Sequence, residues 1–169
     1  MSNRRIATVG LWLLAIVLWV PAGQQEFLVE HWMKVGTIAA PLLLLVGFSF
    51  RDVRRRVLDD PQGMALLMLV CYLVHQHEEH WVDLLGHRYA FHATVNQLVN
   101  GLLGPRSPAV QPLTPEAIFV INTALVWMPG ALAILRSPVH RFPVLAMAGI
   151  VLVNALTHIV SGLLLRAYN

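Results

Sequence analysis

Six consecutive residues, His75-Gln76-His77-Glu78-Glu79-His80, carry five ionisable side chains inside a stretch, Met64 to Leu85, that otherwise reads as a membrane-crossing helix. An ionisable group in hydrocarbon costs about 2.5–3.5 kcal/mol even on lenient scales, so this run implies a metal, a partner charge or a water-filled cavity. With His75 taken as zero and about 100° per residue, Glu79 falls near +40°, Glu78 near −60° and Asp83 near +80°, and the four share one broad face. His80 and His77, at about 140° and 200° on the same wheel, point elsewhere. A histidine followed three and four residues on by acids lets side chains of one helix meet one ion. A second pair one helical turn apart, Asn154 and His158, stands near the C-terminus, and between the two lies Asn122, followed by Thr123 and then Trp127.

These groups must be placed by an apolar scaffold. The chain has 169 residues, 57% hydrophobic and 12% charged, with a mean hydropathy of +0.63. A soluble domain carries about a quarter charged residues, so the composition specifies an integral membrane protein. Residues 6–22, 31–50, 64–85, 115–135 and 142–165 approach the roughly 20 residues that cross a bilayer. The first run, with no clear small-x-small cleavage site after it, reads as a span rather than a signal peptide. The expected fold is all-α: one transmembrane helical bundle of about five spans, residues 1–169 forming a single domain. Pro61, Pro115 and Pro143 stand at helix starts, where a missing N–H is harmless. Pro41 and Pro129-Gly130 fall inside spans and predict kinks.

The connection from Gly86 to Thr114 contains its own helical pattern. Phe91, Val95, Leu98, Val99, Leu102 and Leu103 recur at helical spacing, with His92, Asn96 and Asn100 on another face. Residues 89–103 therefore predict an amphipathic helix on or dipping into the membrane, in the position of a lid.

A net charge of +3 and a pI near 9.6 would suggest nucleic acid in a soluble protein, but here topology explains the arginines. Arg4, Arg5, Arg51, Arg54, Arg55, Arg56, Arg136 and Arg141 fall in alternate gaps between the apolar runs, while Lys34, Arg88, Arg106 and Arg166 take the others. The positive-inside rule then sets the N-terminus in the cytoplasm, with a bacterial inner membrane as the expected location, membrane lipid as the surrounding partner and no nucleic acid. The single Cys71 excludes an intramolecular disulfide and a cysteine metal cluster.

Antiparallel alternation of the spans puts His75, His158 and Asn122 each roughly 10–15 Å below the same membrane face. Convergence at one depth makes His75, Glu79 and His158 the expected metal ligands. Glu78 becomes the candidate general base or an acceptor behind the ligands, and Asn122 and Asn154 become groups that hold the cofactor in place, with interhelical hydrogen bonding as the alternative for both amides. Two imidazoles and a carboxylate suit a divalent metal, non-haem iron first, with zinc and manganese accepting the same donors. A dinuclear carboxylate site wants about four acids, and only Glu78 and Glu79 are well placed. HExxH fails because His77-Glu78-Glu79-His80 is one residue short, and HxxEH fails at Gln76. His75 to His80 and His87 to His92 spell the HxxxxH box of membrane desaturases and hydroxylases, but no HxxHH box follows.

The string His75-Gln76-His77-Glu78-Glu79, followed by Ile121-Asn122-Thr123 and by Asn154-Ala155-Leu156-Thr157-His158-Ile159, resembles the HXXEE-domain family of small integral membrane proteins over about Leu66 to Asn169. The resemblance implies a polar intramembrane site of His75, Glu78, Glu79, Asn122, Asn154 and His158 in a family suspected of enzymatic activity but assigned none. It also implies a further hydrophobic stretch after the last helix, and it does not account for the extra histidines His77 and His80. The expected function is a membrane metalloenzyme of oxidoreductase type acting on a lipid or apolar substrate. The alternative is a non-catalytic subunit or assembly factor, working with a partner membrane subunit or as a homo-oligomer. Proton passage ranks last, because below His75 its helix offers only Cys71 and Tyr72 as polar groups.

Overall fold

The computed structural model describes residues 9–10, 13–14, 17, 20–49, 59–83, 85–88, 90–104, 113–136 and 141–165. These form an all-helical bundle, with no strand among the described residues. After a short 3-10 turn at Val20–Gln24 come α1 (Glu26–Ser49), α2 (Pro61–His80) and α3 (Ala90–Leu103). Then α4 (Pro115–Asn122) passes through a π-helical turn (Thr123–Trp127) into α5 (Met128–Arg136), and α6 (Phe142–Leu165) closes the chain. The predicted span 6–22 lies largely outside the described residues, as do Arg4, Arg5, Arg51, Arg54, Arg55, Arg56, Arg106 and Arg166.

Among the described residues, three helices are long and apolar enough to cross a membrane: Glu26–Gly47, Pro115–Arg136 and Phe142–Leu164. Helix α2 has the length but carries the polar run in its last turns. Its position explains why that is tolerated, since it is the hub of the bundle and packs against α1, α3, α5 and α6. The large apolar side chains of α1 and α6 face outward instead, Ile38 and Leu45 on one helix and Leu152, Val153 and Ile159 on the other. Contiguous exposed apolar surface on this scale is what a lipid-facing helix presents.

Local chemistry sets the helix ends. Asp60 caps α2 by accepting from the Gly63 N–H at 3.1 Å, and Thr114 caps α4 by accepting from the Ala117 N–H at 3.2 Å; a proline follows each cap. Both caps satisfy a donor that the first turn leaves unpaired. At its other end α2 stops at His80, five residues before the Leu85 expected from hydropathy. The reason is Asp83, whose carboxylate accepts from the N–H groups of Leu85 (2.8 Å) and His87 (2.7 Å) in a turn completed by Gly86 at φ +84°. Such a side-chain turn competes with helix for the same backbone donors. Asp83 therefore sits beyond the helix and pairs with the His87 ring at 3.0 Å, rather than sharing a face with His75.

The core lies along α2. Leu66, Leu69, Val70 and Leu73 pack with Ala40, Val126, Ala133 and Met147, while Trp32, Met33, Ile118 and Phe119 form a second cluster nearer the polar end. Two glycines permit the close approaches. A Cβ on Gly130 would lie 2.8 Å from Leu69, and one on Gly36 would lie 2.8 Å from the Trp127 ring. The π turn sits just ahead of Pro129, where a widened turn is closed by the Met128 N–H donating to the Thr123 carbonyl. Such turns occur often at functional sites, and this one follows directly on Asn122.

Candidate metal centre

Helix α2 brings His75 and Glu79 together through their one-turn spacing, His75 Nε2 standing 3.2 Å from Glu79 Oε1. Helix α6 supplies His158, whose Nε2 contacts the same Glu79 oxygen. The donor atoms offered by His75, Glu79 and His158 all lie within 4.8 Å of one another, and no other group of that kind occurs among the described residues. Glu79 is buried, His158 nearly so and His75 half-buried. The two imidazoles meet edge to face with ring centroids 4.8 Å apart.

Proximity here is not hydrogen bonding. Glu79 Oε1 and both nitrogens of His158 are buried with no hydrogen-bond partner. Each such atom costs about 1–3 kcal/mol left as it is. Glu79 Oε1 and His158 Nε2 meet without a hydrogen-bond partner, and His75 Nε2 lies 3.2 Å from the same oxygen; two imidazoles and a carboxylate are donor types a divalent cation takes. The residues present fit a metal.

The other expected site residues divide. Asn154, one turn before His158, reaches the His75 ring from α6, its Nδ2 3.0 Å from Nε2, the same nitrogen that faces Glu79. Glu78 is half-buried, lies outside the three-residue group and makes no hydrogen bond among the described residues. Asn122 is buried one layer away. Its Oδ1 accepts from Gln76 Nε2 at 2.6 Å and from the Tyr72 hydroxyl at 3.1 Å, while its Nδ2 reaches the Ile118 carbonyl at 3.0 Å and His80 Nε2 at 3.3 Å. His77 turns to α1, 2.8 Å from the Thr37 hydroxyl.

Sequence reasoning missed three residues. His80 was set aside as pointing elsewhere, yet it is buried with Nε2 3.4 Å from Glu79 Oε2, because a carboxylate has two oxygens and the next residue along the helix meets the second. Gln76 is 1% exposed and takes its hydrogen bond from the Trp127 indole N–H at 2.6 Å; its place between the histidines was the available signal. Phe91, counted only as part of an apolar stripe, lays its ring 5.2 Å from His158 and 5.3 Å from His80, so α3 covers the site.

The order of the polar chain is set by one donor. Indole N–H donates and never accepts, so Gln76 Oε1 is the acceptor and Gln76 Nε2 the donor to Asn122 Oδ1. Asn122 then presents Nδ2 to His80 Nε2 at 3.3 Å, and an Nε2 that accepts there leaves the ring proton on Nδ1. In that tautomer His80 offers Glu79 a lone pair rather than a proton. Glu79 is thus bounded by three imidazoles with no donor in hydrogen-bonding geometry at Oε1, a setting that calls for a cation.

No curated protein and no solved structure matches the chain. A family model does, over residues 66–169, described as a protein of unknown function with HXXEE motif. That region holds α2 from its second turn onward together with α3 to α6, and so every residue of the site just described; the chain belongs to the HXXEE family.

Proposed function

We propose that this chain is an integral membrane metalloprotein in which His75, Glu79 and His158 hold a divalent ion, with Asn154 beside His75 giving up its contact to Nε2 when the ion binds and Asn122 acting through His80. The observation that carries the reading is the buried, unsatisfied state of Glu79 Oε1 and His158 Nε2 at the point where three helix-borne donors converge. Two imidazoles and one carboxylate favour iron of the non-haem kind, with zinc and manganese as the other ions this donor set accepts. A bound ion would serve as Lewis acid or oxygen activator, and the activity we assign is oxidoreductase chemistry on a lipid or other apolar molecule. Glu78 is the acid or base proposed beside the site. The position of the site among apolar helices supports a substrate that arrives from the membrane. The arginine distribution supports a cytoplasmic N-terminus, and the location we assign is a bacterial inner membrane.

A second reading has its own support. The Trp127–Gln76–Asn122–Tyr72 network locks α2 to the α4–α5 rod with every partner supplied by protein. This suits a non-catalytic subunit whose polar cluster fixes helix packing against a partner membrane protein or a second copy.

Elemental analysis of protein purified in mild detergent separates the two. The metalloprotein reading expects about one equivalent of iron, manganese or zinc per chain, lost in His158→Ala and in Glu79→Gln while both variants stay folded. Metal-free wild type, even after incubation with each ion, together with a stoichiometric co-purifying membrane partner, would establish the second reading.

A further inference from the structure

A cavity of about 290 Å³ lies between α1, α3 and α4, beside but separate from the three proposed ligands. Its walls are largely apolar, Trp32, Met33 and Ile118 among them, and its polar groups are Glu30, His80 and His92. A cavity of about 150 Å³ lined by aliphatic residues holds a benzene. The space here exceeds a single ring and opens outward on one side.

The two histidines on the wall differ in what they have left to offer. His92 Nε2 lies 2.6 Å from the Leu113 carbonyl, an acceptor, so that nitrogen carries and donates the ring proton; this ties α3 to the segment before α4. His80 is the reverse. Its Nε2 lies 3.3 Å from Asn122 Nδ2, and an Nε2 that accepts there leaves the ring proton on Nδ1, which no described residue takes. An N–H that opens onto an apolar cavity is a donor in need of an acceptor.

We propose that this cavity binds a small apolar molecule bearing one hydrogen-bond-accepting oxygen, a ketone, aldehyde or ether, held by His80 Nδ1–H. Calling that molecule the substrate rests on the metalloenzyme reading above; the binding itself does not. The His80 ring lines the cavity and also meets Glu79, its Nε2 being 3.4 Å from Oε2. Occupancy is thus felt at the carboxylate through a tautomer that Trp127 holds in place.

The test uses the full chain in detergent and two photoactivatable probes of equal length, a diazirine-bearing decanone and the matching hydrocarbon without oxygen, with adducts mapped by mass spectrometry. Saturable labelling of Met33 and Ile118 is expected, the ketone exceeding the hydrocarbon about threefold to tenfold, the worth of one hydrogen bond. His80→Phe should erase that preference, and Ile118→Trp, which fills the cavity, should remove both labels from Met33. Unsaturable labelling confined to outward residues such as Ile38 and Leu152, or a ketone preference that survives His80→Phe, would overturn the proposal. Should His80→Phe fail to fold, competition on wild type by unlabelled ketone against unlabelled hydrocarbon decides the same point. Metal content measured on the same samples keeps the two ideas apart. Metal-free protein that labels as expected removes the metalloenzyme and keeps the binding site, whereas metal-loaded protein without saturable labelling does the opposite.

Discussion

Trp127 acts at a distance because its side chain can only donate. Replacing it with phenylalanine leaves Gln76 Oε1, among the most buried atoms of the bundle, without a donor, at a cost of about 1–3 kcal/mol. It also frees the Gln76 amide to flip, so Trp127→Phe should lower the melting temperature and mix the two His80 tautomers, read from the ring ¹⁵N shifts. Asn154→Ala is a milder change at the proposed centre. It removes the amide that lies on the His75 Nε2 lone pair without removing a ligand, so metal should be retained, in contrast to the complete loss expected for His158→Ala. Titration with a competing chelator measures that gap.

Among the elements, the α1–α2–α5 junction is where backbone spacing and site chemistry meet. A Cβ on Gly36 would press on a Trp127 ring already held by Gln76, and so unable to move aside. Gly36→Ala should therefore destabilise the bundle by about 1–3 kcal/mol and disturb His80 together with it, visible as a lower melting temperature and altered ring shifts. The turn that ends α2 makes a separate prediction. Desolvation works to raise the Asp83 carboxyl, but hydrogen bonds from the backbone and ring of His87 and the backbone of Leu85 outweigh it and hold the group below the usual carboxylate range. A depressed folded value means that this turn contributes its stability above the unfolded value of about 3.9 and loses it as pH falls through the folded one. Amide exchange at Leu85 and His87 should accordingly quicken only in strong acid, and should be fast at neutral pH in Asp83→Ala.

For the whole molecule, the inside-out distribution of apolar residues is the governing fact. Leu152, near the middle of α6, is 60% exposed, where a soluble protein would bury it. With lipid as its surroundings, Leu152→Lys should cost about 2.5–3.5 kcal/mol of insertion, measured as the fraction of chain resisting alkaline extraction from membranes. The same substitution at exposed Glu26 should be silent in that assay. Coverage of the site by Phe91 belongs to this scale as well, since α3 is the one helix over the proposed centre that is too short to cross a membrane.

Hydropathy alone determined the helical class and the runs that became α1, the α4–α5 rod and α6, because apolar length is a property of the chain and needs no partner. One-turn spacing determined in the same way that His75 can meet Glu79 and that Asn154 stands beside His158. Only the tertiary structure decided that α6 turns His158 onto Glu79, that Asn122 bonds to Gln76 rather than facing the three donors, and that His80 belongs to the carboxylate. Those outcomes depend on how helices rotate about their own axes when they pack, which a spacing within one helix does not specify. The tautomer of His80 lies further still from the sequence, being set by an indole 47 positions away that reaches it through two amides.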